Sequence, residues 1–175
     1  MDATTLKALQ APLKAQYKDQ PDAAKITLKA DGKLGEEAIT CSVDTGRALV
    51  EAGLHPATGG DGLSACSGDM LLQALVACAG VTLKAVATAL GIEIREGTVK
   101  AEGDLDFRGT LAVDRDASVG FTDIRLSFDI DTDATEEQLA SLFKLTERYC
   151  VVFQTLNTKP VLAVSHRVNG KAKAA

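Results

Sequence analysis

The chain has no tryptophan, and aromatic residues make up only 4% of it. Its core must therefore come from packed Leu, Val, Ile and Ala, within a hydrophobic content of 46% that is ordinary for a globular protein. Only two histidines are present, and none of the four cysteines (Cys41, Cys66, Cys78, Cys150) pairs in a CxxC spacing, which argues against a structural zinc site. Basic residues are not in excess. A formal charge of -5 gives no reason to expect nucleic acid or an anionic membrane as a partner. Residues 1–20 are amphipathic and polar, without the apolar central run of a signal peptide, so a cytoplasmic protein is expected. There its cysteines stay reduced unless their chemistry is redox.

One stretch organises what is there. From Ser67 to Gly91, apolar residues recur every three to four positions at Met70, Leu71, Ala74, Leu75, Cys78, Val81, Ala85, Val86 and Ala89. That spacing predicts a long central helix, and its small apolar remaining positions predict burial nearly all round. Ser67 is the expected cap, Asp69 complements the positive end of the helix, and Gly91 offers a left-handed stop. Asp69, Gln73 and Lys84 interrupt the run too often for a membrane span, so a core helix is expected.

At 175 residues, one domain is expected, bounded by short appendages. Residues 1–24 read as a helical extension with Leu6, Leu9 and Leu13 on one side, residues 25–168 as the domain and residues 169–175 as a flexible tail. Alternation predicts strands over 25–30 and 37–43, joined by a DGK turn at 31–33. Two further strands are predicted over 99–107 and 124–130, and a last one over 161–168. The type of the segment 47–52 is ambiguous. Residues 53–66 form a glycine-rich loop; its GGDG lacks the surroundings of a phosphate loop. Asp133 and Glu136 suggest a capping box for a second helix with Leu139, Leu142, Phe143, Thr146 and Tyr149 on its apolar face. Cys150 closes that helix and could open a short new one. The class is therefore α+β with a largely antiparallel sheet.

Taken singly, Cys78 and Cys150 are most simply small buried hydrophobes. As a pair on two helices facing one core, they could meet. Cys41, on the apolar face of a strand, reads as packing. Cys66, at the loop edge a turn or two from Cys78, is either a third redox group or an ordinary loop cysteine. His166 reads as a partly buried strand histidine.

The segment DMLLQALVACAGVTL resembles the signature helix of the OsmC/Ohr family, and ERYCVVFQTL, some 70 residues on, resembles its second cysteine segment. The order of elements agrees over roughly residues 25–168. The resemblance implies an intertwined homodimer with the long helices at its heart and two active sites at the interface. It implies reduction of organic, lipid-type hydroperoxides by sulfur alone, with an external dithiol as reductant and no cofactor or metal. Cys78 would be the peroxidatic thiol, Cys150 the resolving thiol and Asp69 the carboxylate that orients an arginine. The chain departs from the family at Ser67, Gly68 and Val151, where proline is common. No arginine lies in residues 53–66 to activate the thiol. His55 and Arg148 are the candidate activating groups, with Arg47 further upstream. Judged by local chemistry alone, Cys150, at the start of a helix, ranks as the more reactive thiol; the family order puts Cys78 first. Leu71, Leu75, Phe143 and Tyr149 are expected to line an apolar substrate site. The alternative is a non-catalytic stress protein of the same fold, holding an apolar small molecule at the dimer interface; a purely structural dimer is a third reading.

Overall fold

The computed structural model describes residues 2–20, 32–34, 40–44, 49–168 and 171–174. The predicted strand over 25–30 and the side chain of Cys41 lie outside the described residues.

The long helix is where periodicity places it. Helix α2 covers Ser67–Leu90 and ends at Gly91, whose φ of 70° is the left-handed geometry that glycine adopts without penalty. Its cap position is Cys66 rather than Ser67, and no side chain caps it; Ser67 is already inside the first turn. Burial is one-sided: Leu75, Ala79, Leu83, Val86 and Ala87 are buried, whereas Leu71 and Val81 are exposed. All-round burial is thus not met within one chain. By length and composition alone, α2 could cross a membrane, despite its polar interruptions. Its buried face instead carries β5 (Glu96–Asp104), α4 (Glu136–Tyr149) and α5 (Val151–Asn157).

Among the described residues the strands form three small sheets rather than one. Strands β1 (Gly32–Leu34), β2 (Thr40–Asp44), β3 (Leu49–Gly53) and β4 (Ala65–Cys66) are paired in that order, antiparallel except for the short β3–β4 contact. Gly32 and Lys33, read as turn residues, belong to β1, and residues 49–52 of the ambiguous segment belong to β3. β5 pairs antiparallel with β6 (Asp123–Asp131) from Glu96 opposite Asp131 to Asp104 opposite Asp123. Both strands alternate as read, and their apolar faces pack on α2. The strand expected to reach Phe107 ends at Asp104, because Asp106 caps a one-turn helix, α3 (Phe107–Thr110).

Helix α4 begins with a capping box, but its members are Thr135 and Gln138. Asp133 is engaged elsewhere: with Asp131 it binds the Arg95 guanidinium, at 2.6 Å from Arg95 Nη1 to Asp133 Oδ2. Leu142, fully buried, joins Leu83, Val86, Ala87 and Ile92 in one core cluster; the rings of Phe128 and Phe143 meet beside it at 5.5 Å. A second cluster forms around Leu75, Ala79 and Cys150. At the ends of the chain, α1 (Ala3–Asp19) lies against α2, and β7 (Ser165–Val168) pairs with β8 (Lys171–Ala174). The last strand thus starts at Ser165 rather than Val161, and Val161, Leu162 and Val164 precede it fully or largely exposed. His166 is exposed, not partly buried as read.

Candidate active site

Helices α4 and α5 form an elbow at Cys150, and the elbow exists because of this residue's backbone. With φ −71° and ψ 107°, Cys150 leaves the helical region, ends α4 and starts α5. Its N–H still bonds to Thr146 O at 2.9 Å, and its carbonyl accepts Gln154 N–H at 2.9 Å. Its sulfur caps the new helix, accepting Phe153 N–H at 3.5 Å. Cys150 is therefore buried between two helix ends with its side chain fixed.

Cys78, halfway along α2, faces this elbow. It packs on the cluster of Leu75, Ala79 and Cys150, at the boundary between the buried and exposed faces of α2. Burial pushes its thiol upward, but the opposing contacts win. The Val152 N–H, the Cys150 thiol and the Val151 N–H all favour a negative sulfur, and Cys78 is held below the ordinary thiol range. Thr82 Oγ1 also lies near, although its hydrogen goes to Cys78 O at 2.8 Å. For Cys150, burial again pushes upward; the Phe153 N–H opposes it, but the neighbouring Cys78 adds to the rise, and the net direction is up.

The two thiols thus lie in one packed cluster and are shifted in opposite directions. This reverses the ranking from local chemistry. Cys150 does open a helix, yet the Val152 and Val151 amides of its first turn favour the negative form of Cys78. Free first-turn N–H groups are the natural partners of an anion. They are backbone atoms, so no residue type announces them; the only sequence signal was a helix opening at Cys150.

The other expected residues do not gather here. Asp69 is exposed and nine residues before Cys78, which places it about 14 Å away along the axis and on the opposite side of α2. His55 caps a short 3-10 turn, Pro56–Thr58, accepting Ala57 N–H on Nδ1 at 3.0 Å and stacking on Phe107 at 5.0 Å. It lines a cleft with Ser67 and Gly68, about three turns of α2 from Cys78. Arg148 is exposed on α4, its guanidinium 5.7 Å from the Tyr149 ring centre. Cys66, twelve residues before Cys78, lies about 18 Å from it along the helix, further than the turn or two read from sequence. Cys66, Cys78 and Cys150 are all free thiols.

Of the expected lining residues, Leu75 alone packs against Cys150; Phe143 belongs to the other cluster, and Leu71 and Tyr149 are exposed. A cleft of about 400 Å³ opens beside the cysteine cluster, between β6 and α5, with Leu75, Phe121, Leu126, Phe153 and Leu156 in its wall. Phe121, Phe153 and Leu156 were not singled out from sequence, since pairing β6 with α5 is a tertiary contact.

Comparison with known proteins follows the same elements. A family model described as OsmC-like protein matches residues 59–165. No curated protein sequence matches the chain. Among solved structures, the chain is similar to an OsmC-like protein from Mycoplasma pneumoniae, with 17% identity over 77% of this chain and 90% of that one and a TM-score of 0.64. It is similar to an organic hydroperoxide resistance protein from Elizabethkingia anophelis, with 18% identity over 78% and 91% and a TM-score of 0.61. It is also similar to an organic hydroperoxide resistance protein from Legionella pneumophila, with 14% identity over 75% and 91% and a TM-score of 0.59. At these identities the likeness is one of fold.

Proposed function

Since the chain belongs to the OsmC-like protein family, we propose that it is a thiol peroxidase that reduces organic hydroperoxides, with Cys78 as nucleophile and Cys150 as resolving thiol. The observation that carries this reading is the packing of Cys78 and Cys150 in one cluster, with Cys78 at the edge of an exposed apolar face of α2 and the two thiols shifted in opposite directions.

The Cys78 thiolate attacks the terminal oxygen of the hydroperoxide. The O–O bond breaks, the alkoxide leaves and takes a proton to become an alcohol, and Cys78 becomes a sulfenic acid. The Cys150 sulfur then attacks the Cys78 sulfur, a disulfide forms, and water is released. An external dithiol reduces the disulfide and returns both thiols. In this scheme the charge on Cys78 is met by the Val151 and Val152 amides rather than by a guanidinium.

A homodimer fits the same face. Leu71, Ala74, Ala77 and Val81 share one exposed side of α2, and Cys78 sits at its border. A second copy laid on this stripe would shield the thiol and supply an apolar wall for a lipid-type substrate.

The test is intact mass and free-thiol count of the reduced protein after an equimolar dose of cumene hydroperoxide, with Cys78→Ser and Cys150→Ser in parallel. The wild type loses two hydrogens, Cys150→Ser gains one oxygen, and Cys78→Ser stays unchanged. Oxidation of Cys78→Ser at the wild-type rate would reverse the roles. Retention of all thiols would overturn the enzyme and leave a non-catalytic binding protein.

A further inference from the structure

The cleft between β6 and α5 continues from the cysteine cluster: Leu75, Ile124, Leu126 and Phe153 belong to both. Its volume of about 400 Å³ is that of a small-molecule site. Phe121 stands in its wall, and also in the wall of the cleft of about 380 Å³ that holds His55, Ser67 and Phe107. Among the described residues it is the one side chain that the two clefts share, so its ring is the partition between them. Glycine seats that ring. A Cβ on Gly103 of β5 would lie 2.5 Å from Phe121 Cε1, and one on Gly68 of α2 would lie 3.4 Å from Phe121 Cζ. The backbone behind the ring is tied to the end of the β5–β6 ladder, where Thr122 N–H donates to Asp104 O at 2.9 Å. Along α2 the order runs from Gly68, against the ring, through Leu75, in the cleft wall, to Cys78. Gly68 and Cys78 are ten residues apart, about 15 Å of helix.

We propose that the cleft between β6 and α5 holds the unbranched, uncharged alkyl chain of the substrate, and that the Phe121 ring closes its far end and sets the chain length accepted. As a substrate subsite this rests on the peroxidase reading, with the hydroperoxide end toward Cys78 and the chain running along α2 to the ring. Leu75, Leu126, Phe153 and Leu156 give such a chain apolar contact without a hydrogen-bond demand. The polar side chains of the wall are Thr122, Asp123 and Asn157. None of the described lining residues is basic, so the Asp123 carboxylate repels a fatty-acid anion and a neutral chain is the better occupant. Beyond the ring, Leu105, Phe107 and Val119 line part of the second cleft. Removing the ring would join the two clefts and lengthen the apolar path.

The experiment is calorimetric titration of the reduced full-length chain with hexanol, octanol, decanol and dodecanol, which have the chemistry of the product and do not react with thiols. Affinity in the wild type should rise with chain length and then level off where the chain meets the ring. In Phe121→Ala the rise should continue to a longer alcohol, by about tenfold for every two methylenes newly buried. Phe121→Leu, a smaller change to the packing, should extend it less. Leu156→Trp, which fills the cleft from α5, should weaken every alcohol at least tenfold. Binding that Leu156→Trp leaves intact, or no binding at all, overturns the assignment of the cleft. The same levelling length in wild type and folded Phe121→Ala overturns the role of Phe121, as does loss of folding in both Phe121 variants, since the ring would then serve the fold. The reading beneath is tested apart from this: alcohols bound as expected by a protein whose thiols resist cumene hydroperoxide would sink the peroxidase and leave the cleft as a binding site.

Discussion

Val151→Pro isolates one of the two amides that face Cys78. Proline is well tolerated at the first position of a helix, where its missing N–H has no intrahelical acceptor. Val151 is that position in α5, and the preceding ψ of 107° at Cys150 is in the extended region that a following proline favours. The substitution should therefore keep the elbow and remove one donor from the sulfur. A hydrogen bond to a charged group contributes about 1.5–3 kcal/mol when buried. Cys78 is only half-buried and keeps the Val152 amide, so the lower end applies. About 1.4 kcal/mol is one pKa unit, and the thiolate fraction at neutral pH should fall about tenfold. The assay is ultraviolet thiolate absorbance against pH, with Cys41, Cys66 and Cys150 replaced by serine so that one thiol titrates. Urea unfolding of the same protein should show unchanged or slightly greater stability, by about 0.4–1 kcal/mol, from the stiffer unfolded chain. A folded Val151→Pro protein whose Cys78 titrates as before would refute the amide argument.

Leu142→Ala empties a fully buried position of the other cluster and should cost about 2–5 kcal/mol in urea unfolding, leaving Cys78 alkylation in the folded protein unchanged; a loss below about 1 kcal/mol would mean the cluster relaxes around the gap. Stability should depend on pH through Cys78. Its folded pKa is lowered, so its contribution is full above the unfolded thiol value of about 8.5 and is lost as pH falls through the folded value. Cys150 is shifted the other way, contributing below the unfolded value and losing that contribution as pH rises, so the two oppose in the wild type. In Cys150→Ser the Cys78 effect stands alone, and its stability advantage over the Cys78→Ala, Cys150→Ser double variant should grow with pH and then level off. A pH-independent difference would count against the lowered Cys78 thiol.

The sequence by itself determined the secondary elements whose cause is local. The three- to four-residue spacing from Met70 to Ala89 could form only a long helix, Gly91 could end it without strain, and the alternation on either side of Phe128 could form only a half-buried strand. The two cysteine segments, read with their resemblance, also brought out Cys78 and Cys150, which lie in one packed cluster. Errors of detail came where several residues could do one job: Asp133 and Thr135 are both good caps, and the decision fell to Arg95, thirty-eight residues before Asp133, which binds the aspartate. Tertiary structure alone decided the rest. Which side of α2 is buried depends on where β5, α4 and α5 land. Asp69, His55 and Arg148 looked equally available in one dimension, but helix rise and rotation carry them away from Cys78. The groups that lower Cys78, the Val152 and Val151 N–H and the Cys150 thiol, belong to a segment some seventy residues later, at the backbone break between α4 and α5. Amide donors are the same in every residue, so only their placement in space could give them this role.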